Sequence, residues 1–377
     1  MIEIIVPNKR YNKNVPNLGE DLTDDELCDI CKRITGNTLF KKTLDNNWST
    51  GRYIKLIDGN KIHFVGISGR VVGGRNSFVQ TIATIFSAFV ASSHNDKFLD
   101  YYFLPITGNN KTPYLKFCYR LMKTIKFNFI NQELGFDKLI LEPYHNIVNL
   151  INDRNSLRDS NSANNSSFIT DEGYEYRIYG KSFGANSKET ALICFAISFI
   201  TDKPVQLFQI LDNNSESISE NDKNAISFFK KVNIIDDTFI FDEVNEIPDD
   251  NDNIRSARFT YNLLSKYGKK KCAMCDCEIE NLISGAHIWP VADIKKEHIS
   301  LEEKKKYATD ENNGIWLCEN HHKLFDSGLI TIDLDGKIVL SNKLNELCKK
   351  YVSFITTINS ITLNKQMVDY FKLRYKS

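Results

Sequence analysis

Long apolar runs are missing from this chain. No stretch of its 377 residues reaches the roughly 18 apolar residues that can cross a bilayer. The opening "MIEIIVPNKRYN" lacks the apolar core of a secretory signal, so a cytoplasmic protein with no membrane partner is expected. Without a signal, the nine cysteines are expected as free thiols or metal ligands rather than disulfides. An excess of one charge is missing too. With 48 bases against 48 acids, the distribution of charge has to speak for or against a polyanionic partner. There is no internal repeat. The glycines of "GRVVGGRN" (69–76) are not followed by the Lys-Ser/Thr of a phosphate-binding P-loop, which excludes ATP binding of that kind.

A chain of this length exceeds one ordinary core and predicts two domains. Charge marks the boundary. Residues 235–253 hold eight acids and no base, and residues 254–271 hold six bases and no acid. The switch, beside Pro248 and an Asp/Asn cluster, places one domain over 1–250 and another over 254–377. The basic run is either a solvated helix face or a segment that meets phosphates. "NDRNSLRDSNSANNSS" (152–167) and "DNNSESISENDKN" (212–224) read as long polar loops.

The first domain alternates helix and strand signals. Thr23 and Glu26 have capping-box spacing, with Gly36 as a stop. That helix contains Cys28-x-x-Cys31, which has no second pair and reads as structural. A hairpin is predicted around Asp58-Gly59, and a buried helix over 77–92. Arg70 and Arg75 stand just ahead of that helix, where phosphate could be met. A second Gly-rich loop, "YGKSFGANSKE", crowds Lys181, Asn186 and Lys188 into one turn. Such side chains reach base edges and phosphates, although a plain loop with a helix cap would read the same way. Glu189, in the same stretch, has no acidic partner pattern that would make a second nuclease centre.

Chemistry concentrates further on. Four of the seven histidines fall between 287 and 322. Cys272-x-x-Cys275 and Cys318-x-x-His321 have the spacing of two halves of a structural zinc site, with Cys277 as a substitute for Cys275. The halves are 42 residues apart, longer than in a simple zinc ribbon, so something is inserted. The insert reads as a strand, "LISGAHIWPV", then a capped polar helix, "SLEEKKKYA", then "NNGIWLCENHHKLFD". On a helix wheel His321 falls with Cys318, and His322 falls with Asp326, about 90° away. One face would bind zinc and the other would face a cleft. A hairpin around Asp335-Gly336 and a basic amphipathic helix, "NKQMVDYFKLRYK", close the chain.

Together these motifs resemble the HNH nuclease family, with its ββα-metal fold, over about residues 268–341. The family's first His matches His287 in "AHIWP", its Asn matches Asn313 in "NNGIW", and its closing His matches His322 in "ENHHKLFD". The resemblance implies His287 as general base, His322 as ligand of Mg²⁺ or another divalent ion, and Asn313 either holding the base-bearing strand or reaching the metal. It also implies 5′-phosphate and 3′-hydroxyl products. One departure stands out. Many members have Asp or His before the base, and here that position is Ala286. Asp326, one turn after His322, is the candidate for the missing ligand.

The expected architecture is therefore α+β: an N-terminal mixed α/β domain, then a C-terminal ββα-metal domain with a structural zinc knuckle. A large partner on a lone nuclease domain resembles type II restriction endonucleases. That resemblance implies double-stranded DNA as substrate, Mg²⁺ and Zn²⁺ as metals, a homodimer, and a cognate DNA methyltransferase in the same system. Arg70, Arg75, Lys181, Asn186, Lys188, Lys269, Lys270 and Lys271 are the expected DNA contacts. The rivals are a homing or modification-dependent nuclease, and a zinc-stabilised DNA-binding protein with an inactive cleft, which Ala286 favours.

Overall fold

A computed structural model describes residues 1–7, 22–45, 53–67, 75–103, 113–131, 141–157, 167–181, 185–211, 218–228, 231–237 and 257–376. The chain packs as two units. One comprises Met1–Ser167 with Gly180–Ile235, and the other Phe168–Tyr179 with Asp236–Ser377. The boundary expected near residue 250 lies outside the described residues.

The first unit is built on six strands: β1 (Ile2–Pro7), β2 (Phe40–Asp45), β3 (Tyr53–Asp58), β4 (Lys61–Ile67), β5 (Lys97–Tyr102) and β6 (Asn128–Phe129). Their order is β2-β1-β3-β4-β5-β6. The sheet is mixed, antiparallel at β1/β3 and β3/β4 and parallel at β1/β2, β4/β5 and β5/β6. Alternation on β1 buries Ile2, Ile4 and Val6, and Leu27, Ile30 and Cys31 of α1 (Asp24–Thr35) join the same core. Thr23 and Glu26 form the capping box, and Gly36 ends the helix in the left-handed region at φ 79°. Burial pushes the Cys31 thiol up to about 11, as befits a core residue rather than a reactive one.

Helices α2 (Arg75–Ala91), α3 (Pro113–Thr124), α4 (Ile147–Ser156) and α5 (Ala185–Ile200) complete most of this unit. Phe86 of α2 meets Phe195 of α5 at 4.5 Å between ring centroids. The strands β9 (Val205–Ile210) and β10 (Val232–Asp237) are neighbours, and α6 (Glu220–Phe228) lies between them in sequence. Two expected loops need correction here. Residues 152–156 belong to α4, because Ile147, Leu150, Arg154 and Leu157 share one buried face. Residues 220–224 belong to α6, whose Asp222 is buried. The remainders, 158–166 and 212–217, lie outside the described residues.

The second unit takes in residues 168–179, most of β7 (Ser167–Asp171) and β8 (Tyr176–Lys181), and there Phe168 lies edge-on to Tyr261 at 5.1 Å and Glu172 meets Lys270 at 2.6 Å. Tyr261 lies on α7 (Ala257–Tyr267). Next come β11 (Ile283–His287), α8 (Val291–Lys296), α9 (Leu301–Thr309), β12 (Gly314–Cys318) and α10 (Glu319–Asp326). The unit ends with the hairpin β13 (Ile330–Ile332) and β14 (Ile338–Leu340), then α11 (Glu346–Ile355) and α12 (Lys365–Arg374). β11 and β12 form an antiparallel pair that runs into α10, a ββα arrangement with α8 and α9 inserted between the strands. Ser300 and Glu303 cap α9 reciprocally, and Pro290 is the N-cap of α8. No helix among the described residues is long and apolar enough to cross a membrane.

Candidate active site and metal centre

Register decides what the hairpin presents. His287 pairs with Gly314, Ala286 with Ile315 and Gly285 with Trp316. A Cβ at Gly314 would lie 2.5 Å from Phe259 Cζ, and one at Gly285 would lie 2.7 Å from Leu263 Cδ1. Glycine at these two positions lets α7 press directly on the hairpin. Phe259, buried, then stacks on the His287 imidazole with centroids 3.9 Å apart and planes 12° apart. Gly314→Ala is expected to displace Phe259 and lower activity while leaving zinc content unchanged. Normal cleavage by that variant would show that the stack does not orient His287.

The far side of the imidazole is fixed as well. His287 Nε2 lies 2.9 Å from the Ala308 carbonyl. A carbonyl can only accept, so Nε2 carries a proton and Nδ1 holds the lone pair of the neutral ring. Asn313 is fully buried. Its Oδ1 accepts from Trp289 N at 2.7 Å, and its Nδ2 donates to Trp289 O at 3.1 Å and Tyr307 O at 3.0 Å. Both ends of the amide are thus engaged by backbone that follows His287 or precedes the second strand.

The adjacent histidines part as soon as α10 begins. His321 Nδ1 points at sulfur, 3.1 Å from Cys318 and 3.6 Å from Cys272. His322 turns to β11, with Nδ1 2.7 Å from Ser284 Oγ and Nε2 3.3 Å from Asp326 Oδ2. Cys272, Cys275, Cys318 and His321 place their ligand atoms within 4.8 Å of one another. A tetrahedral zinc with bonds of about 2.3 Å to sulfur and 2.0–2.1 Å to nitrogen sets S···S near 3.8 Å and S···N near 3.6 Å. Cys275 and Cys318 are 3.8 Å apart, and the Cys272–His321 distance is the one given above. The donor set fits zinc. Without a cation, burial and the neighbouring Cys272 and Cys318 push the Cys275 thiol up to about 12. Zinc would reverse that preference by favouring thiolates.

The knuckle is braced from outside. Cys272 N donates to Cys277 O at 3.0 Å, so Cys277 contributes its backbone while Cys275 supplies the thiol. Ala273 N donates to Trp316 O at 2.8 Å. His321 Nε2 lies 3.1 Å from Thr356 Oγ1, which itself donates to Val352 O at 2.7 Å. Thr356 therefore accepts from Nε2 and leaves the Nδ1 lone pair facing the thiols. Cys318 is the N-cap of α10.

Residues 272–333 match the family model described as HNH endonuclease. This C-terminal region is an HNH domain. No curated protein matches the chain. An HNH endonuclease domain suggests a metal-dependent nuclease and implies DNA as its substrate and a divalent metal in its site. The cysteine cluster suggests zinc as a second, structural metal.

Within the HNH domain, Ala286 is fully buried opposite Ile315 and offers no ligand. Two neighbouring ligands of an octahedral Mg²⁺ at about 2.0–2.1 Å lie about 2.9 Å apart. His322 Nε2 and Asp326 Oδ2, at 3.3 Å, stand wider than that and at ion-pair distance.

The expected DNA contacts scatter. Arg70 lies outside the described residues, and Arg75, Lys181 and Asn186 are placed by backbone alone. Lys188 is bonded to the buried carboxylate of Asp222, which also accepts from Ser87. Glu189 is buried against Arg154 at 2.8 Å and accepts from Tyr114 at 2.9 Å, a structural ion pair. Lys270 is buried, held by Glu172, so its ammonium is not open to a phosphate. Lys269 and Lys271 are exposed and share Glu278 at 3.4 and 3.1 Å. Sequence reading missed Ser284, Phe259 and Thr356. Only Ser284 left a signal, since strand alternation sets it on the same face as Ala286.

Proposed function

We propose that this protein is a metal-dependent DNA endonuclease of the type II restriction kind, cutting phosphodiester bonds to 5′-phosphate and 3′-hydroxyl ends. The observation that carries the nuclease reading is the set of His287, His322 and Asp326 gathered on one ββα unit beside a separate zinc-type cluster.

His287 is the general base. Its Nδ1 takes a proton from water as the water oxygen bonds to phosphorus and the bond to the 3′ oxygen breaks. A neutral imidazole suits this role near pH 7. Asn313 is a positioning residue that holds the turn after His287, and Ser284 orients the His322 ring. Its hydroxyl can donate or accept, so it serves His322 in either tautomer. His322 and Asp326 would hold Mg²⁺, which when bound supplies positive charge for the developing 3′ oxyanion. The leaving oxygen then takes its proton from solvent.

Sequence selection is assigned to the first unit. Support for it is the unit's size and the sequence of two stretches rich in Arg, Lys and Asn, 70–76 and 181–188, which run into α2 and α5. Phosphate contacts alone give affinity without selectivity. The test is digestion of a mixed DNA panel with Mg²⁺, followed by sequencing of the ends. Ends that cluster at one short sequence support restriction-type recognition. Ends spread over all sequences would leave a nuclease but remove the recognition role.

A further inference from the structure

The HNH motif ends at residue 333, yet the site is closed by a side chain 41 positions further on. Arg374 is the last residue of α12. Its Nη1 donates to Ile288 O at 3.0 Å and to His287 O at 3.4 Å. Its Nη2 donates to Phe325 O at 2.8 Å, and the guanidinium lies over the Phe325 ring at 4.0 Å. One planar group thus bridges the carbonyl end of β11, which bears His287, and the last turn of α10, which bears His322 and Asp326.

The rest of α12 is anchored so that this reach is fixed. Tyr370 Oη donates to Asp310 at 2.8 Å, and Asn364 Nδ2 donates to Asn312 at 2.8 Å, both on the segment leading to Asn313. Tyr375 bonds Ile332 O. Burial lowers the pKa of the guanidinium, and the nearby Asp326 and Asp293 work against that shift, so its charge lies close to one of the proposed metal ligands. A cation at a helix C-terminus is also favourable in itself.

We propose that Arg374 is a positioning residue for DNA cleavage. It ties the base-bearing strand to the metal-side helix and so sets the distance between His287 and the His322–Asp326 pair. Arginine is the residue that can do this, because its rigid fork offers separate donors to carbonyls on both elements while lysine offers a single point charge. The inference rests on the nuclease reading above.

The experiment compares full-length, zinc-loaded wild type with Arg374→Ala and Arg374→Lys. It measures kcat and KM on plasmid DNA with Mg²⁺, melting temperature, zinc content, and the ¹⁵N spectra of the histidine rings. A misplacement near 1 Å costs about 10²-fold, so kcat of Arg374→Ala should fall on that order with KM and zinc content unchanged. Arg374→Lys should not recover it, and dilute guanidinium ion added to Arg374→Ala should restore part of it. Wild-type kcat in Arg374→Ala would overturn the proposal. So would a loss that tracks the unfolded fraction and ignores added guanidinium. If wild type cut no DNA, the nuclease reading would fail and the ring spectra would still decide the clamp. The His287 ring, held against Ala308 O in wild type, should shift its ¹⁵N signals in Arg374→Ala as the strand that bears it moves, and identical spectra would sink the idea.

Discussion

Replacing His287 with alanine is expected to lower the cleavage rate by about 10²–10⁴-fold, the usual cost of losing a general base. Zinc content, melting temperature and DNA affinity should stay at wild-type levels. The basis is local. The ring touches Phe259 on one face and donates Nε2–H to Ala308 O, and neither contact belongs to the cysteine cluster. His322→Ala should also lower activity with zinc retained. Asp326→Asn should instead raise the Mg²⁺ concentration needed for half-maximal cleavage, because a neutral amide is a weaker ligand than a carboxylate for a hard cation. An Asp326→Asn enzyme with an unchanged Mg²⁺ requirement would remove Asp326 from the metal site.

The largest stability effect is expected at the zinc cluster. Cys275→Ser should lose zinc and destabilise the HNH domain, since such a metal contributes folding energy directly. A loss of several kcal/mol, at about 2–4 °C per kcal/mol for a domain of ~150 residues, lowers the melting midpoint by on the order of 10 °C. Cys277→Ser is the internal control, because its backbone carbonyl and not its thiol supports the knuckle. The neighbouring histidines should separate in the same assay. His321→Ala is expected to lose zinc and stability, whereas His322→Ala keeps both. The reverse result would mean that the two roles have been exchanged.

These two outcomes also mark how far the sequence could be read. The zinc halves were legible because ligand spacing within a knuckle is local. The separation of His321 from His322 was legible because helix geometry turns neighbours apart. Caps and hairpins were legible at Thr23, Ser300 and Asp335-Gly336 for the same reason: each is set by residues a few positions apart. What stayed hidden depends on distant partners. Lys270 read as a DNA contact in a basic run, but Glu172, far away in sequence, pairs with it in a buried setting. The 152–156 stretch read as a loop because it is polar, whereas pairing with Glu189 lets Arg154 occupy the buried face of α4. Phe259 over His287 requires two glycines on facing strands, and nothing in either segment alone announces the stack. Arg374 reaches the site only because α12 folds back across the domain.

The central claim is that this chain hydrolyses DNA with a divalent metal at the ββα site. The most direct measurement incubates purified, zinc-loaded full-length protein with supercoiled plasmid, with and without Mg²⁺. The account predicts nicked or linear DNA bearing 5′-phosphate and 3′-hydroxyl ends, formed only when a divalent cation is present. Intact plasmid at every Mg²⁺ or Mn²⁺ concentration, from protein that still binds DNA, would contradict it and point to a zinc-stabilised DNA-binding protein with an inactive cleft.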